Sequence, residues 1–76
     1  MTEDPEAVQA LLDELCVELG FCLPPAGQRR LRDAPPPDPD AFTDAVFRAE
    51  GLEPPFDRRL WRQVRERVER SGLSRR

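Results

Sequence analysis

A chain of 76 residues holds one domain at most, and at this size a hydrophobic core supplies only about 3–5 kcal/mol of net stability. The absence of His, Lys and Tyr removes the usual general bases near neutral pH and the amine that forms Schiff bases. That argues against an enzyme and leaves carboxylates and two cysteines as the reactive groups. The net charge of −3 conceals an asymmetry, with −6 over residues 1–27, −2 over residues 28–53 and +5 over residues 54–76.

All twelve bases are Arg, a bias that GC-rich coding also produces, so part of the arginine excess is compositional. No run of apolar residues approaches the roughly 20 needed to span a bilayer. The start MTEDPE lacks the basic and apolar regions of a signal peptide, so a cytoplasmic protein is expected.

Taken in chain order, the spacing predicts a first helix over 5–19. Asp4 can cap it, Pro5 suits its first position, and Val8, Leu11, Leu12, Leu15, Cys16 and Leu19 recur on one face. Gly20 ends it, with Phe21 placed to fold back on the helix, and the same Gly-hydrophobic ending recurs at Gly51-Leu52 and Gly72-Leu73. A short second helix over 25–33 centres on Leu31, bounded by Pro24-Pro25 and Pro35-Pro36-Pro37 and weakened by Gly27.

The third helix is expected over 39–50, with Asp38 as its cap and Phe42, Ala45, Val46 and Ala49 on one face. The fourth, over 57–71, carries Leu60, Trp61, Val64 and Val68 as a narrow apolar stripe, with Trp61 in the core. Arg62–Glu66, Arg65–Glu69 and Glu66–Arg70 stand at helical pair spacing on its polar side. No segment alternates as a strand would.

The expected fold is therefore all-α: one small domain over 1–76, a compact bundle of three main helices plus one short one. The two halves share the order helix, Gly cap, Pro-Pro, Arg-Arg-Leu, so two helix–turn–helix units packed together are an arrangement the pattern allows.

Few side-chain groups point to chemistry. Cys16 and Cys22 read as unjoined small hydrophobes, and with no His beside them no metal and no cofactor are expected. Asp38-Pro39-Asp40 hints at a calcium loop, but its proline, the absent central glycine and the onset of a helix defeat that reading. Arginines of the last helix could contact phosphates, with Trp61 stacking, but the acidic first helix argues against nucleic acid, and the apolar stripe is too small for a membrane surface.

Two apolar residues fall off the helical stripes. Val17 lies opposite the core face of the first helix among Asp13, Glu14 and Glu18, and Phe47 lies off the stripe of the third, where it either widens a core short of volume or joins an interface. Together these five residues form a candidate partner-binding face, and Arg58, Arg62, Arg65 and Arg70 form a candidate second surface.

The functional expectation is a non-enzymatic protein–protein interaction module with an acidic helical face. It would be an adaptor or assembly domain, or an inhibitory antidote of the immunity-protein type, the latter on size and charge alone. The partner would be a basic protein or a second copy joined through helices of opposite charge. The alternative from another class is a small nucleic-acid-binding regulator using the Arg-rich C-terminal helix.

Overall fold

Proline begins three of the helices, where its missing N–H is one that a helix start leaves unbonded anyway. The computed structural model describes residues 5–71, with α1 at Pro5–Leu19, α2 at Pro25–Asp33, α3 at Pro39–Ala49 and α4 at Arg58–Ser71. None of the described residues is in a strand. Asp38 caps α3 by accepting the Ala41 N–H at 2.8 Å, and Asp57 caps α4 by accepting the Leu60 N–H at 3.0 Å. That cap is why α4 starts one residue later than the apolar spacing suggests. The expected cap at Asp4 and the ending at Gly72-Leu73 lie outside the described residues.

Gly51 (φ +93°) closes α3: its N–H meets the Arg48 carbonyl at 2.9 Å, and the Leu52 N–H meets the Phe47 carbonyl at 3.1 Å. Gly20 (φ +70°) plays the same part after α1, where the Phe21 N–H reaches the Leu15 carbonyl at 3.0 Å. Both reversals use backbone angles that only glycine adopts freely.

Each helix packs on two others: α1 on α2 and α4, and α3 on α2 and α4, so the two helical pairs close a ring. The Cα radius of gyration is 11.0 Å, close to the roughly 11 Å expected for a compact domain of this length. Val8, Leu11, Leu12 and Leu15 of α1 fill the centre with Leu31, Phe42, Val46, Val64 and Val68.

The structure corrects the assignment of Phe47 to the partner-binding face. Phe47, placed by periodicity on an outer face, is fully buried. Two of the three interhelical segments each send a phenylalanine onto it: Phe21 at 4.7 Å and Phe56 at 4.8 Å between ring centroids, both tilted. The buried arc of α3 is thereby widened beyond the stripe the spacing suggests. Trp61 packs on the core as expected, partly buried at its rim, while its Nε1–H donates to Asp44 Oδ1 at 2.8 Å. An indole needs a partner for that N–H, and the rim supplies one.

Candidate functional site

The acidic face of α1 is built as an exposed strip. Asp13, Glu14, Val17 and Glu18 are all open to solvent, and Val17 is 81 % exposed. Ala10, two turns before Val17, is exposed with it. Phe47 is removed from this face by its burial in α3.

The carboxylates on the α4 side of the strip are already engaged. Arg67 donates from Nη1 to Glu14 Oε2 at 2.9 Å and to Glu18 Oε1 at 3.4 Å, tying α4 to α1. On the opposite edge Gln9 links α1 to α2: its amide donates to Asp13 at 2.9 Å and to Gln28 at 2.8 Å, and Gln28 in turn donates to the Leu23 carbonyl. Arg32 of α2 completes this cluster by donating to Gln9 Oε1. The strip is held on both sides, with Val17 at its unheld crest.

Just past that crest, Cys16 and Cys22 are joined in a disulfide, with Cα atoms 4.3 Å apart. This corrects the expectation of two free, unjoined cysteines. The reversal at Gly20 and Phe21 turns the chain back on α1 within six residues, which brings Cys22 within bonding range. Among the described residues, no cluster of three or more Cys, Asp or Glu side chains is placed to hold a metal ion.

The arginines of the second surface divide. Arg65 faces α3, where its Nε pairs with Asp40 and its Nη1 with Glu69 at 3.0 Å. The hydrogen bond to Asp40 raises its already high pKa, aided by Glu69, so the Arg65 guanidinium stays charged. Arg58, Arg62 and Arg70 are exposed and make no ion pair among the described residues, and Arg59 is the same. Of the three helical pairs expected on α4, Arg65–Glu69 forms, whereas Arg62–Glu66 and Glu66–Arg70 stay beyond ion-pair distance.

Arg58 and Arg62 line a shallow groove of about 380 Å³ with Phe56 and Trp61. A second depression, of about 340 Å³, continues from the same two arginines to Arg59, Gln63 and Glu66. Sequence reading missed this groove because Phe56 lies outside any helix. The visible signal was Arg58 and Arg62 four apart with Trp61 between them.

No membrane-crossing helix is present among the described residues, since none is long and apolar enough. Comparison with protein-family models, with curated proteins and with solved structures finds no match to this chain.

Proposed function

We propose that the chain is a non-enzymatic protein–protein interaction module that binds a macromolecular partner through the outer face of α1. The observation that carries this reading is Val17, 81 % exposed, with Asp13, Glu14 and Glu18 around it. An apolar centre inside a polar rim is the anatomy of a protein interface, and the carboxylates would steer a basic partner toward it. Arg67 and Gln9 hold the strip in place before any partner arrives, which lowers the ordering cost of binding.

Adaptor and inhibitory antidote remain the two forms of this reading. The lack of His, Lys and Tyr supports a non-enzymatic role. A cytoplasmic placement belongs to the same proposal, and reducing conditions there would open Cys16–Cys22. The core residues that hold α1 lie apart from that bond.

Unpaired Arg58, Arg59, Arg62 and Arg70 favour the alternative, a nucleic-acid-binding regulator using α4. Against it, Glu66 and Glu69 share that surface, and the Trp61 ring is half-buried with its N–H held by Asp44. The deciding experiment is affinity capture from the native cell with wild type and Val17→Arg, both checked for an unchanged melting curve. Loss of the captured protein in the variant supports the α1 face, and equal capture overturns it.

A further inference from the structure

We propose that the partner of the α1 face is a second copy of this chain, whose Arg58–Arg62 groove receives Val17 head to tail. The inference rests on the α1 face being the binding surface and adds the identity of what it binds. Its basis is the match between two surfaces of the same molecule.

The groove has an apolar floor, Phe56 and Trp61, and cationic walls, Arg58 and Arg62, that no carboxylate of the described chain neutralises. Such a site fits an apolar tip ringed by carboxylates. α1 presents that arrangement, with Val17 as the tip and Asp13, Glu14 and Glu18 within one turn of it.

The spacings agree as well. Arg58 and Arg62 are four residues apart, about 6 Å along a helix, and so are Glu14 and Glu18. Two helices laid side by side can therefore pair the charges two on two, with Val17 set against Trp61. The hold of Arg67 does not prevent this. It uses one oxygen of each glutamate, and a carboxylate has room for about four hydrogen bonds over its two oxygens.

One molecule cannot satisfy itself in this way. α1 lies along the edge of α4 that carries Arg67, whereas the groove is lined by no residue of α1 and lies on the side where its Trp61 donates to Asp44 of α3. Each copy thus offers one free head and one free tail. Because the two surfaces differ, the contact is heterologous, and repeated association gives an open chain or a closed ring rather than a two-fold dimer.

The test is analytical ultracentrifugation of the whole chain over a range of concentrations, at salt of about 50 mM and about 500 mM. Species larger than a dimer are expected at low salt, reverting to monomer at high salt. Val17→Arg removes the head, and the double variant Arg58→Glu/Arg62→Glu removes the tail. Each should be monomeric alone with helicity retained, and an equal mixture should form a 1:1 dimer and nothing larger.

Monomeric wild type at every concentration, a mixture that stays monomeric, or self-association of either variant alone overturns head-to-tail docking. The α1 reading is judged separately. If wild type stays monomeric while Val17→Arg loses a protein captured from the native cell, the face stands and the second copy does not. If a single-stranded oligonucleotide binds the monomer and the tail variant loses that binding, the groove belongs to nucleic acid and the proposal falls.

Discussion

Gly27 of α2 lies so close to Ala49 of α3 that a Cβ added to it would stand 2.9 Å from the Ala49 Cβ. A methyl fixed to each backbone cannot rotate away, so the two helices would have to separate. Replacing Gly by Ala within a helix ordinarily gains about 1 kcal/mol. Here overpacking costs about 1–3 kcal/mol, so Gly27→Ala should lower the melting temperature. In an Ala49→Gly background the same change should raise it, and a double-mutant cycle by thermal denaturation reads the coupling directly.

Phe47→Ala should leave the chain unfolded at room temperature. Truncating a buried phenylalanine costs about 3–5 kcal/mol, which is comparable with all the stability a domain of this size holds. Trp61→Ala should survive as a folded protein, losing one hydrogen bond and part of a half-buried ring, together about 2 kcal/mol. Circular dichroism of the two variants is the check, and the reverse order of severity would refute the assignment of Phe47 to the centre and Trp61 to the rim.

Reducing Cys16–Cys22 should destabilise the chain without abolishing its helices. Closing so short a loop restricts the unfolded state by about 2 kcal/mol in the chain-entropy account. At roughly 4–8 °C per kcal/mol for a domain this small, the melting point should fall by on the order of 10 °C with reductant. The Cys16→Ser/Cys22→Ser variant should then melt where the reduced protein does, with or without reductant.

Arg67→Ala should loosen α1 from α4 by at most about 1 kcal/mol, because the pairs are only partly sheltered from water. The loss should shrink in concentrated salt, which screens the attraction being removed. Reversing both ends together, with Glu14→Arg, Glu18→Arg and Arg67→Glu, should recover stability that Glu14→Arg and Glu18→Arg lose without it. Urea denaturation at two salt concentrations measures both effects.

Glu50 carries one carboxylate oxygen, Oε1, that is buried with no hydrogen-bond partner among the described residues, and it stands at the C-terminal cap of α3. An acid is unfavourable at that end of a helix dipole. Glu50→Gln should raise stability by about 0.5–1 kcal/mol, seen as a higher denaturation midpoint with unchanged slope.

The helices were legible because each is set by local chemistry: the proline starts, the Asp38 cap, the Gly20 and Gly51 endings and the repeat of Val8, Leu11, Leu12 and Leu15 all act within a few residues. What escaped sequence reading was set by chain segments meeting. Phe47 is buried because Phe21 and Phe56 come to it from outside α3, which a single-helix periodicity cannot register. Gly27 reads as a weak helix residue until Ala49 is seen against it. The disulfide depends on how sharply the chain reverses after Leu19, and Arg67 finds Glu14 across 53 residues of sequence. On the candidate surfaces, Val17 was placed correctly by its opposition to the core stripe, whereas the groove of Phe56 and Trp61 needed the fold.

Phe47 also decides how the molecule comes apart. Phe21 arrives from the first helical pair and Phe56 from the connection within the second, and both rest on this one ring. Neither pair encloses a core of its own. A chain cut within Pro35-Pro36-Pro37 would not leave two smaller proteins but two halves of a seam, each able to cover its apolar face only with the other.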